Sequence, residues 1–76
     1  MKKIENSECQ VEFGRFLREG RESRDMLQSE VCALAGISQG FYSQLESGTR
    51  NIDFALALRL CQILRLDLNV FIKRYM

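Results

Sequence analysis

The sequence contains no histidine, no proline and no tryptophan among its 76 residues. A structural zinc site needs four clustered ligands, and the three cysteines, Cys9, Cys32 and Cys61, include no C-x-x-C pair. Histidine is also the commonest general base, and neither a nucleophile–base pair nor a phosphate-binding glycine loop takes its place. The sequence therefore predicts no metal, no cofactor and no enzymatic activity.

Long apolar runs are missing as well. No stretch approaches the roughly 18 residues that a membrane span requires, and no apolar segment follows Lys2 and Lys3 as it would in a signal peptide. Without proline or long polar tracts, the chain shows no interdomain linker. We expect a cytoplasmic protein with a loose N-terminal arm over residues 1–9 and one globular domain over residues 10–76.

Apolar residues recur at helical spacing in several short segments. The predicted helices cover residues 10–24, 28–35, 38–47, 54–64 and 68–74. In the fourth of them the candidate core residues are Leu58, Leu60, Cys61 and Leu64. These five helices account for nearly every apolar residue, so we expect an all-α fold, a compact bundle of five short helices.

The rest of the chain is organised around residues 28–48. The helical phase of the apolar residues breaks at Gly36, which takes a positive φ at little cost and can end a helix. Ser38 then offers a side-chain oxygen to the first free N–H groups of a second helix. Two short helices joined by such a tight turn form a helix-turn-helix. The outward face of the second helix carries small or amide-bearing side chains, which suit contact with base edges: Gln39, Gly40, Ser43 and Gln44.

The same stretch carries an ordered set of residues at specific spacings: Gln28, Val31, Ala35, Gly36, Ile37, Ser38, Ser43, Leu45, Glu46, Gly48, Arg50 and Asn51. This set resembles the DNA-binding domain of the lambdoid phage repressors and Cro, the Xre-like helix-turn-helix family. The resemblance extends from about Gly14 to Phe71. It implies a lambda repressor-like fold and a sequence-specific transcriptional regulator, most often a repressor. The recognition helix would be residues 38–47, placed in the major groove of double-stranded DNA.

The candidate base contacts lie on that helix: Gln39, Gly40, Phe41, Ser43 and Gln44. Glutamine can bond bidentately to the N6 and N7 edge of adenine, and serine can serve several bases. Tyr42 has the i, i+3 spacing to Leu45 that favours the core. Phe41 is then either partly exposed, where it could touch a thymine methyl group or a sugar, or part of the core.

The resemblance also implies contacts with the DNA backbone and one structural ion pair. The candidate phosphate contacts are Gln28, Ser38, Thr49, Arg50 and Asn51. Arg21 occupies the position of an arginine that pairs, in the family, with the glutamate that is Glu46 here. A guanidinium can hold that carboxylate bidentately and tie the first helix to the recognition helix.

The C-terminal part of the chain is more apolar than a monomer needs, which favours an interface. The candidate interface residues are Leu56, Ile63, Val70, Ile72, Tyr75 and Met76. We expect a homodimer whose recognition helices lie about 34 Å apart on a palindromic operator, with no small-molecule effector. The net charge of +1 is low for a DNA-binding protein. An antitoxin-like module whose main partner is another protein is therefore the alternative.

Overall fold

The computed structural model of the protein describes residues 5–75, which form five α-helices joined by short loops. The helices are α1 (Asn6–Ser23), α2 (Gln28–Ala35), α3 (Gln39–Ser47), α4 (Phe54–Ile63) and α5 (Leu68–Tyr75). Helix α3 packs against α1 and α2, while α4 packs against α2 and α5 against α1. The predicted all-α bundle is confirmed. No helix within residues 5–75 is long and apolar enough to cross a membrane.

Helix α1 begins at Asn6, four positions before the predicted start at Gln10. The backbone N–H of Cys9 donates to the carbonyl oxygen of Glu5 at 3.0 Å. Glu8 lies in the first turn, where a carboxylate faces the positive end of the helix dipole. The prediction of a loose arm is therefore wrong for residues 6–9, because backbone hydrogen bonds can hold a polar turn that has no apolar period. Residues 1–4 of the predicted arm lie outside the described residues.

One hydrophobic core joins all five helices. Its buried apolar residues are Phe13, Phe16, Leu17, Val31, Cys32, Ala35, Tyr42, Leu45, Leu60, Cys61, Leu64 and Phe71. An aromatic cluster within it attaches α5 to α1: the rings of Phe13 and Phe71 meet edge to face with centroids 5.2 Å apart. Tyr75 stacks on Phe71 with centroids 5.6 Å apart. Each such pair stabilises by about 0.5–1.5 kcal/mol beyond its area burial.

Helices α1 and α3 approach each other closely at Gly14. A Cβ atom on Gly14 would lie 2.4 Å from the carbonyl oxygen of Leu45 and 2.6 Å from that of Glu46. These neighbours are backbone atoms of α3 and cannot rotate away. The missing side chain of Gly14 therefore sets the distance between α1 and the helix that carries the candidate site.

Candidate nucleic-acid interface

The turn between α2 and α3 has the conformation that the sequence predicts. Gly36 ends α2 in the left-handed region with φ 73° and ψ 32°. The N–H of Ile37 closes the turn on the carbonyl oxygen of Cys32 at 3.0 Å. The Ser38 hydroxyl oxygen then accepts from the backbone N–H of Phe41 at 3.1 Å and caps α3. Helices α2 and α3 thus form a helix-turn-helix.

The inner face of α3 is fixed by a buried ion pair. The Nε atom of Arg21 donates to Oε2 of Glu46 at 2.6 Å, and its Nη2 donates to Oε1 at 3.1 Å. The third donor, Nη1, reaches the carbonyl oxygen of Met26 at 2.9 Å. The side chains of Arg21 and Glu46 are only 13% and 4% exposed. This is the ion pair predicted between these residues, and it joins α1 to the end of α3.

Gln28 completes the same network from the first residue of α2. Its Nε2 donates to Oε1 of Glu46 at 2.9 Å, so α1, α2 and α3 share one carboxylate. Burial alone would raise the pKa of the Glu46 carboxyl, but the hydrogen bonds from Arg21 and Gln28 hold that pKa below its ordinary value. The hydrogen bond to Glu46 in turn raises the pKa of Arg21. Both groups are therefore charged at neutral pH.

The outer face of α3 has the opposite character. Its four small or amide-bearing residues are all exposed: Gln39, Gly40, Ser43 and Gln44. The side chains of Gln39, Ser43 and Gln44 make no hydrogen bond to any residue of the described chain, 5–75. A Cβ atom on Gly40 would meet nothing within 4 Å. The structure therefore brings these predicted base contacts together on one open polar surface.

Phe41 stands apart from this set. It is half-buried and packs against the core, whereas Tyr42 beside it is fully buried, as its spacing to Leu45 predicts. The guanidinium carbon of Arg50 lies 4.9 Å from the centroid of the Phe41 ring. The aromatic ring therefore contacts both the core and the loop that follows α3.

The predicted phosphate contacts lie at the start of α2, at the start of α3 and in the loop after α3. Besides Ser38, whose hydroxyl caps α3, three of their side chains make local hydrogen bonds. Gln28 donates to Glu46, the Thr49 hydroxyl lies 2.9 Å from that of Ser47, and Asn51 accepts from Gln10 of α1. These bonds fix the side chains at the rim of the open surface, and their contact with DNA stays a prediction.

One charged residue near this surface has no part in the sequence-based site. Arg18 of α1 lines a polar cleft of about 110 Å³ together with Gln28, Ser43, Glu46 and Ser47. Its charge is only loosely neutralised, because the Glu22 carboxylate is 3.9 Å away and both side chains are exposed. Sequence periodicity could assign Arg18 only to the solvated side of α1, since its closeness to α3 depends on helix packing.

The residues predicted for the dimer interface do not form one surface. Three are half-buried against the core: Leu56, Ile63 and Tyr75. Val70 and Ile72 are 45% and 43% exposed. They are two positions apart on α5, however, and such residues point in directions about 200° apart around a helix. They cannot face the same partner surface. Met76 lies outside the described residues.

A different apolar surface is exposed instead, where the start of α4 lies beside α1 and the start of α5. Phe54 is 72% and Leu58 is 44% exposed, so the prediction that Leu58 belongs to the core is wrong. Phe54 and Leu68 line a groove of about 300 Å³ together with Cys9 and Phe13 of α1. This groove is called the apolar groove below. Periodicity missed it because α4 is apolar on nearly every side, which leaves the helical phase undefined.

Comparison with known proteins agrees with this arrangement of a capped helix pair and an open polar helix face. A family profile described as Helix-turn-helix matches residues 17–71. The match covers more than half of the chain, and the protein belongs to this family, in its Xre-like branch. It is a DNA-binding transcriptional regulator.

One similar solved structure is the high-resolution crystal structure of the restriction–modification controller protein C.AhdI from Aeromonas hydrophila. It is 27% identical to this chain, with a TM-score of 0.75, and the match covers 82% of this chain and 94% of C.AhdI. No curated protein sequence matches the chain.

Proposed function

We propose that the protein is a homodimeric repressor that binds a palindromic operator with α3 in the major groove. The open polar face of α3 carries this proposal. Gln39 and Gln44 present amide groups that nothing else in residues 5–75 engages, and such groups can bond bidentately to adenine. Ser43 and the space beyond Gly40 allow close approach of a base edge.

The rim of this face supplies the backbone contacts of the proposed complex. Gln28, Ser38 and the loop residues Thr49, Arg50 and Asn51 surround α3, and such contacts position a protein on DNA without reading sequence. No catalytic step is part of the proposal, and the protein would act by occupying DNA. A cytoplasmic location belongs to the same proposal, because the DNA that it regulates lies there.

The apolar groove supports a homodimer. Phe54 projects beside a groove that it helps to line, so two copies related by a two-fold axis could each bury this ring against the other. A dimer would also compensate for the net charge of +1, because it doubles the number of phosphate contacts. Its recognition helices would contact half-sites about one DNA turn, roughly 34 Å, apart.

Selection from a randomised duplex pool at moderate salt tests the proposal. We expect the wild type to enrich a palindrome with half-sites about ten base pairs apart. A Gln39→Ala, Gln44→Ala double variant should lose or change that sequence. Asn69→Ala, which removes an exposed amide from α5, should leave it unchanged. Failure of the folded wild type to enrich any sequence would contradict the proposal.

A protein-interaction module, similar to an antitoxin, is the second candidate, favoured by the low charge and the apolar groove. The two candidates differ in what covers Phe54. For a homodimeric repressor, Phe54→Glu should convert the dimer to a monomer in sedimentation and weaken operator binding. If the wild-type protein is monomeric at operator-binding concentrations, the result would instead favour the protein-interaction module, in which another protein covers the groove.

A further inference from the structure

The arginines of the protein are held in two different ways. Several use their N–H groups inside the protein. Arg21 binds Glu46, Arg24 and Arg59 donate to the carbonyl oxygens that end α4 and α2, and Arg74 binds Glu19. Arg50 is held in the other way. It has no hydrogen bond or ion pair to any residue between 5 and 75, and its guanidinium lies over the ring of Phe41.

An aromatic ring and a carboxylate differ in how much of a guanidinium they leave available for a ligand. A carboxylate occupies the N–H donors and neutralises the charge, as Glu46 does for Arg21. An aromatic ring attracts the flat face of the guanidinium, and the five N–H donors at its edge stay available. At 4.9 Å from the ring centroid, Arg50 is held in place and still able to bind an anion.

Phe41 is a rigid support for this contact. Its backbone N–H is fixed by the Ser38 cap in the first turn of α3, and its side chain packs against the core. The loop that carries Arg50 is also fixed at both ends. Gly48 ends α3 with the N–H of Thr49 bonded to the carbonyl oxygen of Gln44 at 3.1 Å, and the Asp53 carboxylate caps α4.

We propose that Phe41 is a positioning residue that holds Arg50 ready to bind a DNA phosphate, and that it does not read a base. The inference rests on the proposed binding of DNA through α3. A free arginine side chain loses much rotamer entropy when it binds a ligand. Stacking on Phe41 restricts the guanidinium before DNA arrives, which reduces that loss.

The test compares DNA affinity as a function of salt for a set of variants. Each phosphate contact contributes about 0.9 to the slope of log K against log salt. Arg50→Ala should lower the slope by about one per protomer and weaken binding about tenfold at moderate salt. Arg65→Ala is the matched control, because it removes an exposed arginine in the loop between α4 and α5. It should leave slope and affinity near the wild-type values.

Phe41→Leu keeps an apolar side chain of similar size without the aromatic face, and Phe41→Trp keeps the face. We expect Phe41→Leu to weaken binding about threefold and Phe41→Trp to retain wild-type affinity. The loss should be equal on operator and on random duplex, since phosphate contacts carry no sequence information. In the Arg50→Ala background, Phe41→Leu should cause no further loss.

Three results would overturn the inference. Phe41→Leu could bind like the wild type while Arg50→Ala loses affinity, or the two losses could add independently. Phe41→Leu could also lose affinity for the operator alone and select a different half-site, which would make Phe41 a base reader. Thermal melting of each variant separates these outcomes from loss of folding. If the wild type binds no duplex at all, the proposed function fails, and this role of Phe41 fails with it.

Discussion

The two faces of α3 use polar groups in opposite ways. On the inner face, the Glu46 carboxylate is 4% exposed and binds both Arg21 and Gln28. On the outer face, the amides of Gln39 and Gln44 are exposed and bond to nothing within residues 5–75. A buried charge must be paired, whereas an exposed amide bonds to water until a ligand replaces it. Stability and DNA recognition should therefore respond to different substitutions on the same helix.

The inner face should show the largest effect. Arg21→Ala leaves the buried Glu46 carboxylate without its main partner, so we expect a loss of about 3–5 kcal/mol in the free energy of unfolding. Urea denaturation measures it. Arg18→Ala is the control, because Arg18 pairs with Glu22 at 3.9 Å and both side chains are exposed. It should cost less than about 0.5 kcal/mol in the free energy of unfolding. Equal losses of stability in both variants would show that burial of the ion pair does not determine its contribution to the free energy of unfolding.

Two glycines provide the next comparison. Gly14→Ala places a methyl group against the backbone of α3, and overpacking of this kind costs about 1–3 kcal/mol. Gly40→Ala adds the same group into open space, and alanine is favoured over glycine in helices by about 1 kcal/mol. The melting temperature should fall for the first variant and rise slightly for the second. A fall in both would mean that the outer face also packs against the protein.

Low pH should reduce the stability that the Glu46 carboxylate gives to the inner face of α3. The pKa of Glu46 is lower in the folded protein than its ordinary value, so the carboxylate stabilises the fold at neutral pH. That contribution is fully present above the ordinary glutamate pKa of about 4.3 and is lost as the pH falls through the lower folded value. Urea titrations between neutral pH and pH 3 measure it. Glu46→Gln should show a smaller loss of stability over this range, and an unchanged pH dependence would assign the acid sensitivity to other carboxylates.

The outer face should show the smallest effect on stability. Gln39→Ala and Gln44→Ala remove exposed side chains that bond to nothing in the described chain, so the free energy of unfolding should change by less than about 0.5 kcal/mol. In the proposed complex with DNA, each substitution would also remove one bidentate pair of hydrogen bonds to a base, which should weaken operator binding by about 1–3 kcal/mol. Titration of a labelled operator measures this effect. A large drop in melting temperature in either variant would show that the two faces are not independent.

Local chemistry explains which parts of this protein could be predicted from its sequence. Gly36 and Ser38 determine the turn between α2 and α3 by their own conformational and capping preferences, so this turn was predicted correctly. The ion pair of Arg21 and Glu46 was predicted from family resemblance, because it joins residues far apart in the chain.

Features that depend on packing could not be predicted in the same way. The exposure of Phe54 follows from the direction in which α4 faces the core, and an almost uniformly apolar helix does not indicate that direction. The contact of Arg50 with Phe41 depends on the path of a loop. The start of α1 at Asn6 depends on backbone hydrogen bonds, which leave no apolar pattern.

The internal pairing of arginines has a consequence for the search for an operator. A regulator in a cell competes with about 10⁶–10⁹ non-specific sites, and its hold on them grows with the number of phosphates that it neutralises. Here Arg21, Arg24, Arg59 and Arg74 bind the protein's own carboxylates or carbonyl oxygens, and the net charge is only +1. We expect few copies to be retained on random DNA. Occupancy of the operator should therefore follow the total number of copies closely.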